Sequence, residues 1–213
     1  PPAAPPGRRR SHDRHLDRVA AAVARLRRKV PAGPGRHGPV LLEAYFEQTG
    51  LLHAELPALT RGAVADFLRR EGVRADDLGD PADPLAGFVF VAGRVGWAFV
   101  RAADPLPRRR FSAAHELGHF LLHREAMGRF RADTDETLQE ADEEVADQME
   151  REANRFAAEL LMPAEVCRAR GEQLRDQHRC CPRGVLVYRL MSELLVSREA
   201  MRYRLKSLGV GDE

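Results

Sequence analysis

The sequence predicts an α+β fold, in which a small β-sheet lies inside a mainly helical chain that ends in a C-terminal helical subdomain. Two segments rich in Val, Phe and Trp, AGFVFVA and VGWAFVRAA, are joined through Gly93 and Arg94 and predict a hairpin or part of a small sheet. Segments with helical periodicity lie on both sides of this pair. With 213 residues, of which 44% are hydrophobic, the chain can bury one sizeable core.

The N-terminal region, residues 1–39, is predicted to be a disordered linker with a short helix. Residues 1–14 are rich in Pro and Arg and hold few apolar side chains, so we expect them to be disordered. The segment HLDRVAAAVARLRRKV then places its apolar residues on one helical face: Leu16, Val19, Val23 and Leu26. That face can dock on the rest of the chain or on a partner.

The predicted core, residues 40–163, starts with two helices. The segments VLLEAYFEQTGLL and TRGAVADFLRREGV both have helical periodicity. In the second segment, Thr60 is expected to cap the N-terminus of the helix and Gly72 to end it.

The second predicted strand has one bulky face and one small face. Its bulky residues Val95, Trp97 and Phe99 alternate with Gly96, Ala98 and Val100. We expect the bulky face to pack on the helix that follows. If this strand lies at a sheet edge, its free backbone groups can pair with an extended peptide. The alternative is an internal strand that is paired on both sides.

The segment RRRFSAAHELGHFLLH holds the candidate chemistry. Ser112 is the expected N-cap of a helix on which His115 and His119 lie one turn apart on the same face. Both imidazoles can reach one Zn²⁺ ion at ~2.0–2.1 Å, and Glu116 beside them can take a proton from a bound water. An amphipathic helix whose histidines simply face solvent shows the same pattern. A third ligand is needed to distinguish a metal site from such a helix.

A second helix, in the segment QMEREANRFAAELLMP, supplies the predicted third ligand. Glu150 lies at the edge of the apolar stripe of this helix, where an unpaired carboxylate is costly to bury and needs a cation. Asn154, one turn later, can accept the outer N–H of a ligating histidine. Glu152 points nearly the other way and is expected to be a solvated surface residue.

Other residues are weaker candidates for the third ligand. His123 lies two turns from His115, about 12 Å along the helix, so it is assigned a capping or structural role. Glu143 and Asp147 belong to an acidic run that is typical of a solvated helix face. Two histidines and one glutamate suit Zn²⁺, and Mn²⁺ is also possible.

Residues 164–213 are predicted to form a helical subdomain packed on the core. A helix over 164–176 is followed by the loop DQHRCCPRG and by two helices with a short turn between them. These last helices could read DNA through three arginines: Arg198, Arg202 and Arg204. Their leucines also suit a packed helical pair, and Glu193 and Glu199 disfavour phosphate contact, so direct DNA binding is not expected.

Charge and composition argue against several classes of protein. The 34 Lys and Arg residues nearly balance the 32 Asp and Glu residues, which leaves a net charge of +2 and no strong field toward nucleic acid or membrane. The three cysteines lack C-x-x-C spacing. No apolar run approaches the ~20 residues of a membrane span, and PPAAPPGRRR lacks the apolar core of a signal peptide. We therefore expect a cytoplasmic protein with reduced thiols and no membrane partner.

The two histidine- and glutamate-bearing segments resemble the ImmA/IrrE family of bacterial metallo-endopeptidases. The resemblance is carried by RRRFSAAHELGHFLLH and EREANRFAAELLMP. It extends more loosely upstream through LAGFVFVAGRVGWAFVRAADPLP, and as a whole it covers roughly residues 62–163. The resemblance implies a zincin-like minimal metalloprotease core built from the small sheet, the H-E-x-x-H helix and the Glu-bearing helix. It implies that His115 and His119 are metal ligands, that Glu116 is the general base and that Glu150 occupies the third-ligand position.

The resemblance also implies a substrate class. Some members of the family cleave repressor proteins in a stress or mobile-element response, so the expected substrate is a protein, and in particular a helix-turn-helix repressor. Many members carry a repressor-like DNA-binding domain, and none is evident in residues 1–60. The alternative is a non-proteolytic regulator that binds DNA or a protein partner through the C-terminal helices. No oligomeric state follows from the sequence.

Overall fold

The computed structural model describes residues 6–30, 38–75, 78–133, 148–177 and 182–211. Within these ranges the helices are α1 (Pro6–Lys29), α2 (Leu42–Glu47), α3 (Arg61–Arg70), α4 (Leu106–His123), α5 (Gln148–Leu161), α6 (Ala164–Gln177), α7 (Arg183–Leu194) and α8 (Arg198–Ser207). The strands are β1 (Leu51–Leu56), β2 (Gly87–Ala92), β3 (Val95–Arg101) and β4 (Phe130–Asp133). The predicted α+β class is confirmed.

The four strands form one mixed sheet in the order β1-β3-β2-β4. Strand β1 runs parallel to β3, whereas β2 is antiparallel to both β3 and β4. Strand β3 is therefore internal and paired on both sides, which was the stated alternative, and the sheet-edge hypothesis is wrong. Among the described residues, β1 and β4 are the edge strands.

Strand β1 was not predicted, because VLLEAYFEQTGLL was interpreted as a single helix. Only Leu42–Glu47 is helical. Gly50 then adopts φ +72°, a conformation that glycine tolerates easily, and the chain enters the sheet at Leu51. The segment LLHAEL has no β-branched residue, so its strand conformation depends on pairing with β3 rather than on local preference.

The two faces of the sheet pack on different helices. The aromatic face packs on the side of α3, where it forms an apolar cluster with Val64 and Leu68; its members are Phe88, Phe90, Trp97 and Phe99. The smaller side chains Val89, Ala98 and Val100 pack on the side of α4. The prediction that the bulky face meets the motif helix is therefore reversed.

Small residues let helix α4 approach the sheet closely. A Cβ atom on Gly96 would lie 2.7 Å from Cε2 of Phe120, which is shorter than a van der Waals contact. Helix α4 also begins earlier than predicted, at Leu106 after Pro105, with a second proline in its first turn. Ser112 is consequently a buried residue inside the helix and not its N-cap.

Other local predictions agree with the structure. Helix α3 has Thr60 at its N-cap, where the side chain accepts a hydrogen bond from the backbone N–H of Ala63 at 3.2 Å. Gly72 follows the end of this helix with φ +72°. Helix α5 ends at Leu161, before Pro163.

Helix α1 is longer than predicted and packs on the rest of the chain. It begins at Pro6, inside the stretch that was expected to be disordered, while residues 1–5 lie outside the described residues. Its residues Val19, Val23 and Leu26 are buried in the apolar cluster that also holds residues of α4 and α5. The N-terminal helix therefore docks on the core.

The C-terminal helices complete the same apolar cluster. Their buried members include Cys167, Leu174, Leu186, Leu190, Met201 and Leu205. Arg204, one of the three arginines of the DNA-reading alternative, is buried, and its Nε donates to the carbonyl of Met162 at 2.9 Å. The domain boundaries at residues 39 and 163 stay a prediction. In the described part of the chain, no helix is both long and apolar enough to span a bilayer.

Candidate metal centre

Helices α4 and α5 lie against each other and supply most of the polar residues of the site. Gly118 makes this approach possible, because a Cβ atom there would already lie 3.1 Å from Cδ1 of Phe156 on α5. His115, Glu116 and His119 of α4 have no exposed surface. Polar groups buried this deeply need hydrogen-bond partners or a bound ion.

The three predicted metal ligands meet at one point. Nε2 of His115 lies 2.9 Å from Nε2 of His119. Glu150 reaches both rings, with Oε2 at 3.2 Å from His115 Nε2 and Oε1 at 3.3 Å from His119 Nε2. The alternatives Glu143 and Asp147 lie outside the described residues.

Asp133, the last residue of β4, joins this cluster and was missed from the sequence. Its Oδ2 lies 3.1 Å from Nε2 of His115 and 3.8 Å from Nε2 of His119. One donor atom from each of His115, His119, Asp133 and Glu150 lies within 4.8 Å of all the others. Asp133 begins a long acidic stretch in the sequence, and only its place at the end of a strand distinguishes it from its neighbours.

Asn154 sets the orientation of the His115 ring. Its Oδ1 lies 3.0 Å from Nδ1 of His115. Because an amide oxygen only accepts hydrogen bonds, Nδ1 carries the proton. In the neutral ring, Nε2 then presents its lone pair to the cluster. The contact between Asn154 and Nδ1 is the one expected from the sequence.

His119 is oriented by a longer chain that runs through His123 to Glu152. Nε2 of His123 lies 3.1 Å from Oε2 of Glu152, so the ring donates its proton to the carboxylate. Nδ1 of the neutral His123 is then an acceptor, and it lies 3.1 Å from Nδ1 of His119. His119 donates from Nδ1 and keeps the lone pair of Nε2 for the cluster.

The prediction that Glu152 is a solvated surface residue is wrong. Glu152 is buried, and besides His123 it contacts Gln148, whose Nε2 donates to Oε1 at 2.9 Å. Arg18 of helix α1 places Nη1 3.7 Å from Oε2. His123 is buried too. Its contact with Glu152 connects α4 to α5.

The unpaired polar atoms of the cluster indicate that it can hold a divalent cation. When His115 and His119 are neutral and present their Nε2 lone pairs, no described residue donates a hydrogen bond to either oxygen of Asp133, to either oxygen of Glu116 or to Oε2 of Glu150. Such atoms cost about 1–3 kcal/mol each when they are left unpaired, and more when they are charged. Two imidazole nitrogens and carboxylate oxygens form a donor set that suits Zn²⁺ and that other transition metals share.

The pKa values of the cluster also indicate that its carboxylates are stabilised by positive charge. Burial by itself lowers the pKa of His115, but contacts with Asp133 and Glu150 raise it to about 9. Burial opposes ionisation of Glu150, yet its contacts with both histidines hold the pKa of this carboxyl below its usual range. Burial lowers the pKa of His119 to about 4, so that ring is neutral. Without a metal, the two carboxylates hold a proton on His115.

Glu116 lies beside the four donors and is not one of them. A Cβ atom on Gly87 of β2 would lie 1.9 Å from Oε1 of Glu116, so only glycine leaves room for this carboxylate. Burial, followed by the charge of Asp133, raises the pKa of Glu116 well above its usual range. A carboxylate with a raised pKa is a better proton acceptor.

The sheet, the H-E-x-x-H helix and the buried His-His-Asp-Glu cluster define a zincin-like core. Residues 94–206 match the family Peptidase_M78, described as the IrrE N-terminal-like domain, and this match covers more than half of the chain. The chain therefore belongs to this metallopeptidase family, which confirms the resemblance to ImmA/IrrE proteins. The match includes every residue of the cluster and continues into α8. Among curated proteins, none matches the chain significantly.

Proposed function

We propose that this protein is a zinc-dependent endopeptidase. The observation that supports it is the convergence of His115, His119 and Glu150 with Glu116 beside them, in a chain of a metallopeptidase family. His115, His119 and Glu150 would hold the ion. A bound zinc ion would lower the pKa of a water molecule and polarise the scissile carbonyl.

Glu116 is the proposed general base. It takes a proton from the attacking water and later delivers that proton to the leaving amine. Its burial and its place against Gly87 hold the carboxylate in one position and exclude bulk water. Asn154 keeps His115 in the tautomer that ligates through Nε2.

Arg131 orients the proposed third ligand. Its Nε donates to Oε1 of Glu150 at 2.7 Å, and its Nη2 also contacts that oxygen. Oε2 of Glu150 therefore remains for the metal. Arg131 lies on β4, two residues before Asp133, so this strand contributes both a positive and a negative side chain to the centre.

Strand β4 is the proposed platform for the substrate, in place of the internal strand β3. It pairs with β2 on one side, and the described residues supply no strand on its other side. An extended peptide can add to such an edge through main-chain hydrogen bonds. A peptide bound there would lie beside Asp133, at the metal centre.

We further propose that the substrate is a helix-turn-helix repressor and that the enzyme acts in the cytoplasm of a bacterium during a stress or mobile-element response. This part rests on the family alone. The test is to incubate the zinc-loaded protein with the repressor encoded by the neighbouring gene and to identify fragments by mass spectrometry. Glu116→Gln, loaded with zinc to the same level, is the matched control. An intact repressor under both conditions would contradict this substrate.

A non-proteolytic regulator remains the second candidate, because α7 and α8 expose large aromatic side chains. Tyr188 is 67% exposed and Tyr203 is 55% exposed. Such residues are common at protein interfaces. The two candidates separate in one experiment: Tyr188→Ala with Tyr203→Ala abolishes partner binding in a regulator and leaves the cleavage of a short peptide by a protease unchanged.

A further inference from the structure

We propose that Asp133 is a fourth, displaceable metal ligand that closes the centre in the resting protein. This inference rests on the proposed function and adds regulation to the same site. A zinc centre that binds four protein side chains has no position left for water, whereas a catalytic zinc centre keeps one open. Asp133 would therefore have to leave before the attacking water can bind.

The distances between donors support four ligands. In a tetrahedral zinc site with bonds of ~2.0–2.1 Å, neighbouring donor atoms are about 3.3 Å apart. The two histidine nitrogens are 2.9 Å apart, and the Glu150 carboxylate lies 3.2 Å from His115 through Oε2 and 3.3 Å from His119 through Oε1. Asp133 lies 3.1 Å and 3.8 Å from the same two nitrogens. Asp133 would thus supply a fourth donor to an ion held by the other three, in place of the water of a catalytic site.

The carboxylate of Asp133 has few polar neighbours besides the two histidines. The residue is 1% exposed, and when both imidazoles are neutral with their Nε2 lone pairs toward the cluster, neither oxygen has a hydrogen-bond donor among the described residues. Nε of Arg131 is 3.7 Å from Oδ1, and that guanidinium donates to Glu150 instead. A buried carboxylate in this position needs positive charge, which a bound cation would supply and which a proton on His115 supplies in its absence.

The sheet fixes the backbone of Asp133. Its carbonyl accepts a hydrogen bond from the N–H of Ala86 at 2.8 Å, and β4 pairs with β2 up to this residue. Vacating the fourth position would therefore require the side chain to rotate, without movement of β4. Because β4 is also the proposed platform for the substrate, a peptide that docks on this strand would act on the residue that closes the centre.

The test uses the full chain loaded with Co²⁺ in place of zinc. The wild-type protein should show the intense visible absorption of four-coordinate Co²⁺ and, in D₂O, no pulsed-EPR signal from exchangeable deuterons on the metal. In Asp133→Ala, and in Asp133→Asn, that deuteron signal should appear. The zinc dissociation constant of Asp133→Ala, measured by chelator competition, should rise about 10-fold or more, the scale that loss of even an outer-shell partner reaches.

The matched control is Asp104→Asn, which removes another largely buried carboxylate that pairs with Arg108 outside the centre. Its Co²⁺ spectrum and zinc affinity should equal those of the wild type. An exchangeable water on the wild-type Co²⁺ would overturn the role of Asp133 and leave the proposed function intact, whether or not the variants fold. Unchanged zinc affinity in a folded Asp133→Ala would also overturn it. Failure of the wild type to bind Co²⁺ or Zn²⁺ would instead overturn the proposed function.

Discussion

Nε2 of His123 lies 3.1 Å from Oε2 of Glu152, and this buried pair ends a hydrogen-bonded chain that starts at His119. The chain fixes which nitrogen of His119 faces the metal centre. Arg18 approaches the same carboxylate from helix α1 and donates to the carbonyl of Leu122. The N-terminal helix therefore covers the outer end of the chain that orients a proposed ligand.

His123→Ala should weaken zinc binding about 10- to 100-fold, as loss of an outer-shell partner does elsewhere. The substitution removes the acceptor for the Nδ1–H of His119, so the ring loses its preferred tautomer. His123→Gln can supply an amide oxygen in place of the ring nitrogen and should recover part of the affinity. Chelator competition measures all three proteins. Wild-type affinity in His123→Ala would show that the chain does not orient His119.

Glu152→Ala should lower zinc affinity in the same direction, because His123 then loses the acceptor that holds its Nε2 proton. Glu152→Gln keeps an acceptor oxygen and should have the smaller effect. Glu172 of α6 is exposed, and Glu172→Ala is the matched control. If Glu152→Ala and Glu172→Ala bind zinc equally well, Glu152 behaves as the surface residue that the sequence predicted.

Glu116→Gln should keep the metal and lose proteolysis, since Glu116 carries a proton and is not a ligand. Removal of such a group typically costs ~10² to 10⁴ in rate. Metal content by elemental analysis and cleavage of the proposed repressor give the two readouts. Full cleavage by the zinc-loaded variant would refute the mechanism.

Gly87→Ala should impair catalysis while the donors of the metal remain in place. The added Cβ atom would lie 1.9 Å from Oε1 of Glu116, so the carboxylate has to move away from its position beside the centre. Overpacking of this kind also costs about 1–3 kcal/mol of stability. Gly184→Ala is the control, because nothing lies within 4 Å of its Cβ position. Equal cleavage rates for the two variants at equal zinc content would rule out this steric constraint.

Helical periodicity was enough to predict that three side chains of the candidate site come together: His115, His119 and Glu150. His115 and His119 lie one turn apart, and the position of Glu150 beside an apolar stripe distinguished it from Glu152. The prediction for Glu152 was wrong because a helical wheel assumes solvent on the far face, and here that face is covered by α1 and by His123. The covering helix lies more than a hundred residues away in sequence, so no local pattern reports it.

The sheet was harder to predict for the same physical reason. Strand β1 pairs with β3 in parallel across a long connection, and LLHAEL alone has no strong strand preference. Strand order decides which edge is free, and the order β1-β3-β2-β4 depends on these long-range pairings. Asp133 was missed because its proximity to His115 follows from the pairing of β4 with β2.

His53 of β1 should make the protein less stable in mild acid. Its ring stacks on Phe46 with centroids 5.1 Å apart, and its Nε2 is buried without a hydrogen bond to any described residue. Burial lowers the pKa of His53 below its ordinary value of 6.5. The unfolded chain then binds a proton more readily than the folded chain as the pH falls through 6.5, so the free energy of unfolding decreases until the folded-state pKa is passed.

His53→Phe keeps the stacking and removes this titration. Urea unfolding above and below pH 6.5, with chelator present, should show a smaller acid loss in His53→Phe than in the wild type, and equal losses would show that His53 is already solvated.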